Sequence, residues 1–230
     1  MPKTILITGA DGNLGTSVVQ KFVQEGYHIA ATVAPNNSLG SLEGNTSIDK
    51  YVVDLTNEGE TDAFVKSVID KHKNIHAAIL LAGGYASGTI ENTDGKTLKK
   101  LYSLNFETAY FVARPVFKQM IKQNGGRIIF IGARPAIKPA DGKNSLAYAL
   151  SKSLLFTLAD NLNAEGAYRN VVTTVIAPST LDTPANRKAM PKGDPSQWVK
   201  LEDVAQLMAY LLSDAASALR EPVLKMYGKS

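Results

Sequence analysis

The chain has 230 residues, no cysteine and a formal net charge of +4 at pH 7. The lack of cysteine excludes disulfides, thiol nucleophiles and cysteine metal sites, and it fits a reducing cytoplasm, where we expect the protein to act. The basic residues are scattered, which favours solvated helix faces over a nucleic-acid surface, and the first apolar run, Thr4–Thr8, is far too short to cross a membrane. We therefore expect neither nucleic acid nor a membrane as a partner.

Short apolar segments of strand length alternate with segments of helical period along the chain. The predicted strands are Lys3–Thr8, Tyr27–Val33, Tyr51–Val53, His76–Leu81, Arg127–Ile131, Val171–Ile176 and Val223–Tyr227. The predicted helices are Thr16–Glu25, Thr61–Lys71, Leu98–Gln123, Ala147–Glu165 and Leu201–Leu212. This alternation predicts a single doubly wound α/β domain over residues 1–230, with a mostly parallel sheet and helices on both faces.

One irregular segment, Ala177–Trp198, is rich in Pro, Thr, Asp and Lys. Long segments of this kind inside a compact domain are more often functional lids than structural necessities. We therefore predict a substrate lid over residues 179–200.

The turn after the first predicted strand is rich in glycine, and it reads Thr8-Gly9-Ala10-Asp11-Gly12-Asn13-Leu14-Gly15. Glycine suits a chain that must turn sharply off a strand and approach a pyrophosphate without a Cβ in the way. The helix that follows offers unpaired N–H groups to the anion. Between a first strand and a first helix, the pattern favours nucleotide binding over a plain turn.

The end of the second predicted strand bears on the choice between NAD and NADP. Enzymes that select NAD often place an acid there to bind the ribose hydroxyls. The segment Thr32–Ser38 carries neither acid nor base, whereas Asp11 in the glycine turn could repel a 2′-phosphate. The sequence leaves the cofactor as NAD or NADP.

Tyr148 and Lys152 lie four residues apart early in a predicted helix, so their side chains share one face. A free tyrosine hydroxyl has a pKa near 10 and is a poor acid or base at neutral pH. A neighbouring lysine ammonium is expected to lower that pKa, by about two units in a favourable site. The pair could then exchange a proton with a substrate while hydride moves at a nicotinamide.

The glycine turn, Tyr148 and Lys152 belong to a series of short motifs whose order along the chain resembles that of the short-chain dehydrogenase/reductase family, whose fold is of the Rossmann type. The matching pieces are the glycine turn Thr8–Gly15, Asp54-Leu55, Leu81-Ala82-Gly83, Asn105, Tyr148 with Lys152, and Pro178 to Thr183. The resemblance implies an NAD(P)-dependent oxidoreductase in which Tyr148, Lys152 and Asn105 are catalytic. It also implies that Asp54 contacts adenine, that Asn105 holds a proton-relay water and that Thr183 orients the nicotinamide carboxamide.

The chain departs from the family pattern after the fifth predicted strand. The family places a serine there that hydrogen-bonds a substrate carbonyl, whereas this sequence has Ala133. Losing one such donor can cost on the order of a hundredfold in rate. Ser145 lies nearer Tyr148 in sequence and could substitute, although we interpret it as a surface-loop serine.

One branch of the family, the dihydropteridine reductases, also lacks this serine. The segment Leu181–Pro191 resembles the corresponding segment of that branch, and Trp198 follows it at a similar spacing. Reduction of a quinonoid, imine-like pterin develops charge on ring nitrogens, so an oxyanion donor is less needed. The resemblance implies a small cyclic substrate. A carbonyl or quinone reductase, and a cofactor-binding sensor with weakened catalysis, remain as alternatives.

Two further expectations concern metals and assembly. His28, His72 and His76 are scattered in sequence without a carboxylate or histidine at metal-ligand spacing, so we assign no metal site. The long helices Leu98–Gln123 and Ala147–Glu165 are apolar around much of their circumference, and in the family these helices pair across a two-fold axis. We therefore expect a homodimer or a homotetramer.

Overall fold

The computed structural model describes residues 2–229 and places seven strands of that range in one parallel sheet. The strands are β1 (Thr4–Thr8), β2 (His28–Val33), β3 (Ile48–Val52), β4 (Ala77–Leu80), β5 (Gly126–Ile131), β6 (Val171–Pro178) and β7 (Val223–Met226). The helices are α1 (Asn13–Gln24), α2 (Glu58–His72), α3 (Gly95–Tyr102), α4 (Thr108–Lys122), α5 (Pro139–Gly142), α6 (Leu146–Gly166), α7 (Pro184–Ala189) and α8 (Leu201–Leu212).

The sheet has the strand order β3-β2-β1-β4-β5-β6-β7, and each neighbouring pair is parallel. The winding direction reverses between β1 and β4, where one half of the sheet extends to β3 and the other to β7. In open α/β sheets, ligands bind in the crevice outside the carboxyl ends of the strands at such a reversal. The topology therefore positions a site where the glycine turn follows β1.

The core lies on both faces of this sheet because successive side chains of a strand point to opposite sides. All five residues of β1 are buried. Ile5 and Ile7 pack toward α1 and α8, whereas Leu6 packs toward α2, α4 and α6. Burial of each such side chain contributes about 1.5–3 kcal/mol, so β1 anchors both layers. The doubly wound fold predicted from the sequence is confirmed.

The predicted helix Leu98–Gln123 is interrupted in its middle. α3 and α4 are joined by a π-helical turn, Ser103–Glu107, with Asn105 at its centre. π-turns are rare and frequently mark functional sites.

The predicted irregular segment Ala177–Trp198 contains the short helix α7, and a bridge between Leu181 and Val199 closes it at its base. Within residues 2–229, no helix is long and apolar enough to cross a bilayer.

Two of the three histidines lie beside a carboxylate in the fold, although the histidines show no metal-ligand spacing in the sequence. The parallel pairing of β2 with β3 places His28 beside Asp49, and the carboxyl end of α2 brings His72 to the same carboxylate. The spacing along the chain could not show this, because the three residues belong to three different elements.

Candidate active site

The glycine turn forms because two of its glycines occupy positions that a side chain would block. Gly9 has a φ of +63°, a left-handed conformation that favours glycine. A Cβ on Gly15 would overlap the carbonyl oxygen of Gly9 and lie 2.8 Å from the Ala10 Cα. The first turn of α1 therefore lies directly against the end of β1, with its amino terminus open toward the cleft.

Two threonine side chains fix the loops around this turn. The Thr32 Oγ1 accepts a 3.3 Å hydrogen bond from the Gly9 N–H, which ties the turn to β2. The Thr8 Oγ1 accepts hydrogen bonds from the N–H groups of Leu81 and Ala82, at 3.0 and 3.2 Å. These bonds hold the segment after β4 beside the glycine turn. Sequence reasoning missed both roles, although Thr8 and Thr32 are polar residues at buried strand ends.

A cleft of about 350 Å³ opens at the carboxyl ends of β1, β2, β3 and β4. Seven of the predicted cofactor-binding residues line it: Gly9, Asp11, Gly12, Asp54, Leu55, Ala82 and Gly83. Asn13, Leu14 and Gly15 form the first turn of α1 next to it. Gly12 is the N-cap residue of α1 and has no side chain to cap it, so the helix amino terminus presents backbone donors.

Acidic and neutral groups dominate this cleft. The Asp11 carboxylate accepts a hydrogen bond from the Asn37 side chain. Asp54 accepts hydrogen bonds from the backbone N–H and hydroxyl of Thr56, at 2.9 and 2.6 Å, and these bonds lower the pKa of its carboxyl group. Among the described residues that line the cleft, none is a lysine or an arginine.

Asn105 joins the cofactor cleft to the predicted catalytic helix. It is fully buried, its Oδ1 accepts from the Gly84 N–H at 2.9 Å, and its Nδ2 donates to the Gly84 carbonyl at 3.0 Å. Nδ2 also donates to the Ser151 Oγ at 3.0 Å. The π-turn thus positions an amide that fixes the loop after β4 against α6.

Lys152 is buried and lies beside the same loop. Its Nζ donates a 2.8 Å hydrogen bond to the Ile131 carbonyl at the end of β5, and burial lowers its pKa to about 8. A Cβ built on Gly83 would come within 3.4 Å of this Nζ and 2.5 Å of the Asn105 Oδ1. Glycine at position 83 therefore allows the lysine, the asparagine and the loop to approach one another.

The expectation that Lys152 lowers the pKa of Tyr148 is wrong for the structure described. Burial, with a smaller contribution from Tyr85, raises the pKa of Tyr148 to about 12. The Lys152 ammonium is engaged by the Ile131 carbonyl, and it does not offset the loss of hydration around the phenol. Tyr148 is therefore a neutral phenol at pH 7 in the cofactor-free protein.

Two neighbours of this pair were missed in the sequence. The Ser151 Oγ donates to the Tyr148 carbonyl at 2.9 Å and accepts from Asn105, so it links the two predicted catalytic residues. The Tyr85 ring meets the Tyr148 ring edge-on, with centroids 5.1 Å apart. The one signal for Ser151 was its place directly before Lys152.

The structure places Ala133 at the carboxyl end of β5, buried and without a hydroxyl. The interpretation of Ser145 as a surface serine is wrong, because it is 3% exposed and bridges to Gly88. Its burial arises because the chain must enter α6 next to the loop after β4. A hydroxyl therefore lies in the interior three residues before Tyr148.

The remaining predicted residues lie at the end of β6. Pro178 is its last residue, and Thr183 is buried and caps α7 by accepting a 3.1 Å hydrogen bond from the Asn186 N–H. Arg187 on α7 pairs with Asp182, at 2.6 and 2.8 Å, and the pair lies at the surface. Neither Pro178 nor Thr183 lines the cleft of about 350 Å³, so their contact with a cofactor stays a prediction.

Comparison with known proteins decides the family. The family model described as short chain dehydrogenase matches residues 3–193. The chain belongs to the short-chain dehydrogenase family. It is accordingly an oxidoreductase that binds NAD or NADP.

Relatives of this short-chain dehydrogenase include reductases with different substrates. It is 27% identical to an acetoacetyl-CoA reductase of Acinetobacter sp. (strain RA3849), over 98% of the chain and 96% of that protein. It is 25% identical to a dihydropteridine reductase of Dictyostelium discoideum, over 90% of the chain and 86% of that protein. Among solved structures, ElxO with NADP bound superposes with a TM-score of 0.89 at 21% identity, covering 99% of the chain and 98% of ElxO.

The geometry of the cleft fits a dinucleotide. Gly9 and Gly15 have no Cβ, so a phosphate can approach the amino terminus of α1. The Asp54 side chain lines the same cleft. Gly83 connects this half of the cleft to Lys152 and Asn105. The predicted nucleotide-binding turn therefore lies in a cleft that reaches Lys152 and Asn105, two of the predicted catalytic residues.

Proposed function

We propose that the protein is an NAD(P)H-dependent reductase of a small cyclic substrate with an imine-like bond, such as a quinonoid dihydropteridine. The observation that carries the proposal is Ala133 at the end of β5, combined with intact Tyr148, Lys152 and Asn105. A site that reduces a ketone gains from a hydroxyl beside the carbonyl oxygen. A ring nitrogen needs a proton donor instead, and Tyr148 provides one.

The proposed chemistry assigns each residue a step. When bound, NADH or NADPH supplies the hydride. Tyr148 donates its phenolic proton to the substrate nitrogen. Lys152 keeps two further N–H donors beyond the one given to Ile131, so it can hold the ribose hydroxyls of the cofactor. Asn105 and Ser151 fix the loop after β4 and the start of α6, and Asn105 supports a water that returns the proton.

The substrate class is tested with two acceptors and one substitution. We expect a higher kcat/KM for quinonoid dihydropterin than for acetoacetyl-CoA. Ala133→Ser restores the hydroxyl, so we expect it to raise kcat/KM for acetoacetyl-CoA by up to about a hundredfold, with a smaller change for the pterin. Steady-state rates of NADH or NADPH oxidation measure both.

A matched control separates the hydroxyl from the added volume. Ala133→Cys adds a side chain of similar size with a weak donor, and we expect little gain from it on acetoacetyl-CoA. Faster reduction of acetoacetyl-CoA than of the pterin by the unmodified protein would favour the alternative of a carbonyl reductase.

We further propose that NADH is preferred over NADPH. The 2′-phosphate of NADPH carries a charge of about −2 and would lie close to the Asp11 carboxylate. Among the described residues of the cleft, no cation is present to neutralise that charge. Asn37→Arg frees Asp11 of its amide partner and adds a cation at the rim. We expect the ratio of kcat/KM for NADPH over NADH to rise at least about tenfold, equivalent to about 1.4 kcal/mol.

Ser38→Arg serves as the control for this change. Ser38 is exposed one residue away and does not line the cleft, so it adds the same charge without facing the ribose. An equal rise in both variants would show general attraction of the more negative cofactor. An unmodified protein that prefers NADPH would contradict the proposal.

Exposed apolar side chains on α3, α4 and α6 support the proposed homodimer or homotetramer. Leu98, Tyr102 and Tyr110 are 38–42% exposed, and Leu150 and Leu154 are 48% and 37% exposed. The Phe106 ring lies between those of Tyr102 and Tyr110, with centroids 5.4 and 6.0 Å away. An apolar surface shared by long helices is typical of an interface between copies. The assembly stays a prediction.

We also propose that residues 179–200 act as the substrate lid. The segment begins after Pro178 at the end of β6 and contains α7. Near its carboxyl end the Trp198 ring lies close to Gly193. The bridge from Leu181 to Val199 joins its two ends. Such a closed base lets the intervening residues move as one unit over a substrate.

A further inference from the structure

A second cluster of functional groups lies at the opposite end of the sheet. His28 begins β2, Asp49 is the second residue of the edge strand β3, and His72 ends α2. Ala30 pairs with Asp49 in the sheet register. Asp49 and Tyr51 are two residues apart and share a face, and the Tyr51 ring packs on Phe64 of α2, with centroids 4.9 Å apart. The face toward α2 is therefore where the three side chains meet.

The ligand atoms of these residues converge on one carboxylate oxygen. The Asp49 Oδ2 lies 2.9 Å from the His72 Nε2 and 3.1 Å from the His28 Nε2. All three atoms lie within 4.8 Å of one another, and the two imidazole ring centroids are 4.9 Å apart. Metal bonds of about 2.0–2.1 Å, at angles between about 90° and 110°, separate ligand atoms by roughly 2.9–3.4 Å. The observed separations to the carboxylate fall in that range.

The Asp49 carboxylate has one oxygen available to the histidines. Lys71 contacts Oδ1 at 2.7 Å, so Oδ2 faces the histidines alone. The Asp49 side chain is 19% exposed, and those of His28 and His72 are 19% and 13% exposed. Solvent can therefore reach the cluster and complete a coordination shell.

Hydrogen bonding within the described chain leaves part of this cluster unsatisfied. The His72 Nε2 forms a hydrogen bond with Asp49. The His28 Nε2 is buried and lies within reach of the same oxygen, but in a direction that gives it no hydrogen bond. A buried polar atom without a partner is costly, and a cation among the three atoms would satisfy it.

We propose that His28 Nε2, His72 Nε2 and Asp49 Oδ2 bind a divalent transition-metal ion, with Zn²⁺ as the expected occupant. Two imidazoles and one carboxylate suit Zn²⁺, and solvent supplies the fourth position. The site is structural, because it lies at the amino ends of β2 and β3, whereas the cofactor cleft lies at their carboxyl ends. It ties the edge strand β3 and the end of α2 to β2.

The site is tested by adding Zn²⁺ and, separately, Co²⁺ to protein without a histidine tag, near pH 7.5. The chain has three histidines and no cysteine, so strong ligands elsewhere are few. We expect one equivalent of Zn²⁺ to bind and to raise the midpoint of thermal unfolding by about 4 °C or more, since a ligand that binds the folded state alone stabilises it. Co²⁺ should give visible d–d absorption bands of a site with nitrogen and oxygen ligands.

Substitutions identify the ligands. His28→Gln, His72→Gln and Asp49→Asn each remove one ligand with little change in size, and we expect each to weaken Zn²⁺ binding by at least about tenfold. His76→Gln is the histidine control, and Asp70→Asn is the acid control on an exposed position of α2. Thermal unfolding in EDTA shows whether each variant is folded before its affinity is compared.

Either of two results would overturn the proposal. One is the absence of a Zn²⁺-dependent shift and of Co²⁺ bands in the unmodified protein. The other is Zn²⁺ affinity that survives in folded His72→Gln and Asp49→Asn but falls in His76→Gln. Reductase activity takes no part in the test, so the metal site stands or falls independently of the proposed function.

Discussion

Tyr148→Phe is expected to lower kcat by about 10²–10⁴-fold while leaving the affinity for NADH within about twofold of the unmodified value. The substitution removes one hydroxyl and keeps the ring that packs edge-on against Tyr85. The pKa of Tyr148 is raised to about 12, so the hydroxyl carries a proton at neutral pH, and in the proposed function it gives this proton to the substrate. Initial rates and fluorescence titration with NADH measure the two quantities.

Tyr168→Phe is the matched control, since Tyr168 is 98% exposed. It should keep full activity. A Tyr148→Phe variant that binds NADH and still turns over at more than a tenth of the normal rate would remove Tyr148 from the mechanism.

Lys152→Met is expected to lower kcat by a factor similar to that of Tyr148→Phe. At pH 7 it is also expected to stabilise the cofactor-free protein against unfolding. The methionine fills the same volume without a charge, whereas the lysine is buried and burial lowers its pKa to about 8. A depression from 10.5 to about 8 corresponds to a penalty of at most about 3 kcal/mol, reduced by about 1 kcal/mol for the lost bond to the Ile131 carbonyl. Urea denaturation of both proteins measures the net gain.

The sign of the pH dependence follows from proton binding. Between pH 8 and pH 10.5 the unfolded lysine binds more protons than the folded one, so the unmodified protein gains stability as pH rises through this window. Below pH 8 the penalty is present in full. The advantage of Lys152→Met should therefore be largest near pH 7 and shrink toward pH 10.

Lys66→Met, on the exposed face of α2, is the control and should show no such pH dependence. An advantage of Lys152→Met that grows with pH would contradict the assignment of a desolvated lysine.

Much of the fold could be predicted because strand and helix periods are local. The strand Lys3–Thr8 and the helix Leu201–Leu212 are confirmed nearly residue for residue, since a short β-branched run and a regular apolar stripe each indicate one structure. The π-turn at Asn105 was not predictable from periodicity. It depends on the bonds that Asn105 makes with Gly84 and Ser151, which come from elsewhere in the chain.

The class of enzyme could be predicted from the sequence, whereas the electrostatics of the candidate site could not. The order of the glycine turn, Tyr148 and Lys152 indicated an oxidoreductase, and the family match confirms that class. The direction of the Tyr148 pKa shift depends on how deeply the phenol is buried and on which acceptor binds the Lys152 ammonium. The spacing of the two residues in the sequence predicts neither. The same holds for His28, Asp49 and His72, which the pairing of β2 with β3 and the packing of α2 bring together.

The most direct test of the central claim is the loss of NADH absorbance at 340 nm in the presence of chemically generated quinonoid dihydropterin, with NADPH in a parallel reaction. We predict rapid oxidation that depends on both protein and acceptor, and that falls at least about a hundredfold in Tyr148→Phe. Tight NADH binding without oxidation by this acceptor, by acetoacetyl-CoA or by a quinone would contradict a reductase and favour a cofactor-binding sensor.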